Sequence, residues 1–148
     1  TGLYGNFGQA NYGAAKMALV GLMQTLSIEG AKHGIHVNTL APTAATRMTE
    51  DILPEALLRN LTPASVSPAM LVMASEHAPT RAILCAGAGS FEAAHVTLTH
   101  GIHLGHDDTT PDRLAQRLAE VMDPAGQTVP QSGSAQGQLE MSKAARGA

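Results

Sequence analysis

Tryptophan is absent from this 148-residue chain, and tyrosine and phenylalanine occur twice each, so the stacking platforms that grip single-stranded nucleic acid are missing. Basic residues are scarce as well. The nine lysines and arginines are scattered against twelve carboxylates, for a formal charge of -3, and no basic stripe marks a nucleic-acid surface. Lys, Gln, Glu or Gly interrupts every apolar stretch well before the roughly 18 residues that a membrane span needs. A single cysteine, Cys85, cannot close an internal disulfide, which points to a reducing, cytoplasmic setting. No secretory or transit signal is visible, and the final Ala-Arg-Gly-Ala is not a peroxisomal address.

What remains is 44% hydrophobic, enough for the core of one globular domain. Residues 1–9 hold Gly2, Gly5 and Gly8 and read as a loop. Ala10 to Lys32 is rich in Ala, Leu and Met and reads as a long helix, with Gly34 as its stop. Its polar residues do not gather on one face, so the helix needs cover on more than one side. Ile35–Ala41 is short and β-branched between Gly34 and Pro42, the pattern of a strand. A short helical patch near Glu55–Leu61 and a helix over Pro63–Glu76, with Ser65 as a candidate cap, are expected next.

Ile83–Ala86 reads as a second strand, and Gly87-Ala88-Gly89 as a tight turn. Phe91–Leu104 suits a hairpin or an edge segment, and Pro111–Met122 a helix. Beyond Pro124, Gly, Gln, Ser and Ala dominate and disorder is expected. The alternation of helix and strand is half of a βαβ array. Two strands are too few for a sheet, so further strands are expected before Thr1. The domain boundaries read as 1–124 for the half-domain and 125–148 for the tail.

Chemistry concentrates at Tyr12 and Lys16. Four residues apart at the start of the long helix, they share a face with Cβ atoms roughly 5–6 Å apart. A free phenol titrates near pH ~10, and a neighbouring ammonium favours its anionic form. Such a phenol exchanges protons with a carbonyl or alcohol oxygen, provided that a cofactor handles the hydride. By itself, Tyr-x-x-x-Lys is weak; a helix-start tyrosine beside a solvated lysine is the common case.

The surroundings sharpen it. Asn11-Tyr12-Gly13-Ala14-Ala15-Lys16 precedes an apolar helix, then Gly34-Ile35-His36-Val37-Asn38 and Leu40-Ala41-Pro42. In that order and spacing the chain resembles the C-terminal half of the short-chain dehydrogenase/reductase family. The run Gly2-Leu3-Tyr4-Gly5-Asn6-Phe7-Gly8-Gln9-Ala10-Asn11-Tyr12, with Arg47-Met48-Thr49, is similar to the 3-hydroxyacyl-CoA dehydrogenase domains of peroxisomal multifunctional enzymes of type 2 and their bacterial relatives. The resemblance is close over residues 1–50, looser to about residue 90 and not visible in the tail.

The resemblance implies a Rossmann-like, doubly wound parallel sheet of which only the last two strands and their helices are present. It implies an oxidoreductase using NAD or NADP on a secondary alcohol or ketone, such as a 3-hydroxyacyl or 3-oxoacyl thioester. Tyr12 would be the general acid/base and Lys16 would hold the nicotinamide ribose. Pro42, Thr43, Ala45 and Thr46 would lie in the loop under the nicotinamide. Thr43 stands where the family has glycine, and Arg47 where it usually has threonine. Residues 47–62 would form a lid on the substrate side. The family's catalytic serine and its Gly-x-x-x-Gly-x-Gly phosphate loop would lie upstream of Thr1, and Gly87-Ala88-Gly89 is no substitute. The long helix, apolar on two sides, implies a homodimer or homotetramer. An alternative is a non-catalytic remnant or dimerisation module without the cofactor cradle.

Other candidates are weaker. His95, His100, His103 and His106 with Asp107-Asp108 suggest a metal, but Gly101 and Gly105 argue against the necessary helix, and solvated loop histidines are expected. Cys85 reads as an inert core residue. Met17, Met23, Met70 and Met73 occupy core-like positions.

Overall fold

The computed structural model describes residues 1–45 and 54–147 and divides into two compact units, Thr1–Ala94 and His95–Ala148. In the first, helix α1 (Ala10–Gly30) is followed by a 3-10 turn at Ala31–His33, strand β1 (Thr39–Thr43), α2 (Glu55–Leu58), a 3-10 turn at Pro63–Ser65, α3 (Ser67–Met73), β2 (Ile83–Gly87) and β3 (Ser90–Ala94). The sheet order is β1-β2-β3, with β1 and β2 parallel and β2 and β3 antiparallel. The expected α/β class and the two expected strands are present. The third strand overlaps the start of the segment read as a hairpin or an edge segment, and the tight turn expected before it has positive φ at Ala88 and Gly89 (51° and 78°), which matches the right-handed strand twist.

Three layers form because each strand presents alternate residues to opposite faces. On one side Ile83 packs with Val20 and Met23 of α1, joined by Leu3, Val37 and Ala94. On the other, Ala86 packs with Val66 and Ala69, joined by Leu40, Ala44 and Leu84. The buried stripe of α1 is narrow: Val20, Met23, Ser27 and Gly30. Leu19, Leu22, Leu26 and Ile28 remain exposed, in keeping with a helix that is apolar nearly all round. Met23 is buried as expected, whereas Met17 and Met70 are exposed and Met73 is half-buried.

The first strand starts later than its composition suggests. Ile35–Asn38 has no strand ladder because residues far along the chain claim its polar groups. Val37 N–H donates to Thr80 Oγ1 (3.1 Å), Val37 O accepts from Arg81 N–H (2.8 Å), Asn38 Nδ2 donates to Pro79 O (2.6 Å), and Asn38 Oδ1 accepts from Ala82 N–H (3.0 Å). Arg81 adopts φ 65°, a left-handed conformation uncommon outside glycine. Pro42 sits inside β1 rather than after it. Thr39 N–H points to β2, so by alternation the nitrogen of Pro42 points to the opposite edge, where its missing N–H costs no β1–β2 bond.

Asn38 thus ties the approach to β1 to the approach to β2. Asn38→Ala is expected to lower unfolding stability by about 1–3 kcal/mol, since it leaves Pro79 O and Ala82 N–H without that partner. Denaturant melting checks this; a change within error would show that water replaces the side chain.

The segment expected to form a helix over Pro63–Glu76 splits into the 3-10 turn and α3, and Ser65 does not cap: its hydroxyl donates to Thr62 O (2.7 Å). In the second unit the helix expected over Pro111–Met122 is divided at Arg117 into α4 (Thr110–Gln116) and α5 (Leu118–Val121). There Arg117 (φ −110°) makes a two-pronged ion pair with Glu120 at 2.7 Å. Disorder was expected beyond Pro124, yet Ser134–Gly147 forms helix α6. Its Gln136–Glu140 bond (2.9 Å) is local, and the Lys143 ammonium donates to the carbonyl of His100. Leu98 and Thr128 exchange backbone bonds at 2.9 and 3.0 Å.

Asp107 organises the start of α4. Its Oδ1 accepts from the Thr109 hydroxyl (2.7 Å) and N–H (2.9 Å), and Thr110 Oγ1 accepts from Asp107 N–H (2.9 Å). The Thr109 hydroxyl, then its N–H, hold the carboxyl down from 3.8 to about 2. Because the folded value is the lower one, the contribution to stability is complete above pH 3.8 and is lost as pH falls through about 2. Residue-resolved NMR titration should show the α4 amides losing protection in that window, and Asp107→Asn should flatten the response. An unchanged acid profile would exclude this role.

Candidate active site

Tyr12 and Lys16 lie in the first two turns of α1, where the chain leaves the glycine-rich loop. The Thr1–Gly5 turn closes through Gly5 N–H to Thr1 O (2.8 Å), and the Thr1 hydroxyl donates to Gln9 Oε1 (2.7 Å) immediately before the helix. Asn11 Oδ1 accepts the N–H of Tyr12 (2.8 Å). The helical repeat brings the Lys16 ammonium to 5.3 Å from the centre of the Tyr12 ring, within cation–π range. The pair is not sealed in the core, for Tyr12 is 46% exposed.

Both side chains line a cleft of about 370 Å3 in the first unit. Thr1–Tyr4 form one wall, Leu19 and Val20 continue the helix side, and Thr39–Thr43 with Ile83 and Cys85 form the sheet side. Among the described residues no carboxylate lines it, and Lys16 is its one cationic side chain. The walls are largely apolar, and Thr1, Thr39 and Thr43 add hydrogen-bonding capacity.

The structure brings together Tyr12, Lys16, Pro42 and Thr43 of the residues singled out from the sequence. Ala45 is not among the lining residues; its N–H donates to Leu61 O at 2.6 Å. Thr46 and Arg47-Met48-Thr49 lie outside the described residues. Cys85, expected in the core, is half-buried and lines the cleft. Its place follows from alternation, two positions after Ile83 on one face of β2. Tyr4 and Leu19 were not singled out either; nothing in the local pattern separates them from other exposed apolar residues. Among the described residues no group of three or more His, Cys, Asp or Glu side chains could hold a metal. No described helix is long and apolar enough to cross a membrane.

The helix-start Tyr-Lys pair thus stands on a cleft beside a parallel strand pair of an α/β fold, and known proteins share parts of this chain's sequence and fold. The short chain dehydrogenase family model matches residues 1–56. A short-chain type dehydrogenase/reductase of Mycobacterium tuberculosis is 45% identical over 127 residues, 85% of this chain and 44% of the relative. Peroxisomal multifunctional enzyme type 2 of Mus musculus is 55% identical over 76 residues, 51% of this chain and 10% of the relative. The solved full-length peroxisomal multifunctional enzyme type 2 of Drosophila melanogaster superposes with a TM-score of 0.81 at 30% identity, covering 97% of this chain and 27% of that one.

In sequence and in fold the chain is similar to members of the short-chain dehydrogenase/reductase family, and its α/β architecture matches part of their Rossmann-like fold. Within the family, its resemblance to the peroxisomal multifunctional enzymes of type 2 holds in both sequence and structure. The likeness reaches well beyond residue 90, where sequence motifs had ceased to reveal it, because the structural match extends into the second unit. The chain spans less than half the length of these relatives.

Proposed function

We propose that the protein is an NAD- or NADP-dependent oxidoreductase acting on a secondary alcohol or ketone, with a 3-hydroxyacyl or 3-oxoacyl thioester as its substrate. The observation that carries this reading is the Lys16 ammonium held over the Tyr12 ring at the wall of a largely apolar cleft. The Tyr12 hydroxyl, the Lys16 ammonium and the neighbouring Pro42-Thr43 wall fit the nicotinamide and ribose end of such a cofactor, which when bound supplies or accepts the hydride. The Tyr12 hydroxyl passes its proton to the substrate oxygen in reduction and takes it back in oxidation. Lys16 binds the ribose hydroxyls and stabilises negative charge as it develops on the phenol oxygen. Thr43 marks the end of the wall that orients the carboxamide; Ala45 and Thr46 are assigned to the same loop.

The exposed Leu19, Leu22 and Leu26 of α1 support association into a homodimer or homotetramer through that helix. They equally favour a second reading, in which these residues serve as a dimerisation module. The proposed compartment is the cytoplasm, on the single cysteine. The full-length protein should reduce NAD or NADP when given a 3-hydroxyacyl thioester, read as absorbance of the reduced nicotinamide. No reduction of either cofactor across acyl chain lengths, together with concentration-dependent dimerisation, would replace the enzyme by the module.

A further inference from the structure

Glycine at position 2 answers a different need from the glycines that follow it. Gly5 and Gly8 both adopt φ 76°, where side chains are strained. Gly2 has no such φ; it is constrained by space. A Cβ there would stand 2.7 Å from Lys16 Cβ, 3.0 Å from Met17 N and 3.1 Å from Lys16 C. Those atoms are helix backbone and the root of a side chain, not the flexible end of one. The Thr1–Gly5 turn therefore rests directly on α1 at Lys16. It is held there by Gly5 N–H on Thr1 O, by the Thr1–Gln9 bond, and by Leu3 in the core beside Val20 and Met23.

We propose that Gly2 is a positioning residue for Lys16: its bare Cα lets the turn seat against the lysine stem and so fixes the ammonium over the Tyr12 ring. For catalysis the inference rests on the role proposed for the Tyr-Lys pair. A methyl group at position 2 must lift the turn or push the Lys16 stem aside, and either movement changes the relation between ammonium and phenol. The other nearby glycines do not share this role. A Cβ at Gly13 would meet nothing closer than Thr1 Cγ2 at 3.7 Å, and at Gly21 nothing within 4 Å.

The test compares Gly2→Ala with Gly21→Ala in the 148-residue chain. Nuclear Overhauser contacts between the Lys16 Hε and Tyr12 ring protons report the pair, and β1–β3 amide shifts report the fold. Gly2→Ala should lose the Lys16–Tyr12 contacts with the strand amides unmoved, while Gly21→Ala keeps both. Contacts retained at full intensity in Gly2→Ala would overturn the proposal. If Gly2→Ala melts the chain, adding Lys16→Gly removes the closest of the opposing atoms, the Lys16 Cβ, and should make the Gly2→Ala penalty smaller than it is in the parent; an undiminished penalty also counts against the proposal. In the full-length enzyme Gly2→Ala should raise the cofactor KM about ten-fold, the order expected for one misplaced charged hydrogen-bond donor. A parallel Tyr12→Phe assay isolates the chemistry: turnover surviving there refutes the acid/base role, whereas the Lys16–Tyr12 contacts judge Gly2 independently of it.

Discussion

Under the proposed oxidoreductase function, Tyr12→Phe is expected to abolish measurable turnover while leaving cofactor affinity nearly intact. The substitution removes one oxygen and keeps the ring over which the Lys16 ammonium lies at 5.3 Å. The cleft, bounded by Leu19, Val20, Pro42 and Ile83, keeps its walls. What disappears is the proton donor for the substrate oxygen, a contribution of about 100- to 10,000-fold for a positioned general acid or base. Steady-state kcat and a fluorescence titration of the reduced cofactor separate the two effects. Near-normal kcat would refute the acid/base role, and a large loss of cofactor affinity would mean that the hydroxyl chiefly binds.

Gly87→Ala should be the most damaging small substitution in the sheet. Gly87 pairs with Thr43 at the end of the β1–β2 ladder. A Cβ built on it would lie 2.8 Å from Thr43 O and 2.9 Å from Thr43 Cβ, so neither backbone nor side chain can yield without moving β1. Overpacking of this kind costs about 1–3 kcal/mol, and it would push Thr43 within the cleft wall. The geometry also accounts for how threonine is accommodated at position 43. The room its side chain needs is left by the absent one at Gly87. Denaturant unfolding and cofactor KM should both worsen in Gly87→Ala, and adding Thr43→Gly should recover part of the stability by relieving the Cβ contact. In contrast, Gly21→Ala, on an exposed and open part of α1, should stabilise the chain by up to about 1 kcal/mol. Equal melting temperatures for Gly87→Ala and the parent would show that the ladder adjusts freely.

The features legible in advance share one property: each is encoded within a few residues. An Ala- and Leu-rich run without proline makes α1, and the helical repeat places Lys16 one turn beyond Tyr12 whatever surrounds them. Gly34 adopts the left-handed φ of 69° expected at a helix stop, and Ala88-Gly89 turns as a two-residue hairpin. These are matters of local geometry, and composition was enough to read them.

The rest depends on partners distant in sequence. Ile35–Asn38 has the composition of a strand, but residues 79–82, more than forty positions away, take its hydrogen bonds and move the strand start to Thr39. Pro42 enters β1 because the fold directs its nitrogen away from β2, and Cys85 reaches the cleft because the register gives it the face of Ile83. Gly2 against Lys16 and Gly87 against Thr43 are glycines of space, recognisable only once two segments meet. Backbone propensity acts between neighbours, whereas steric room and cross-chain hydrogen bonds exist only after the chain has folded back on itself. Thus the adjacency of Tyr12 and Lys16 was written locally, while the cleft that the two side chains line was decided by packing.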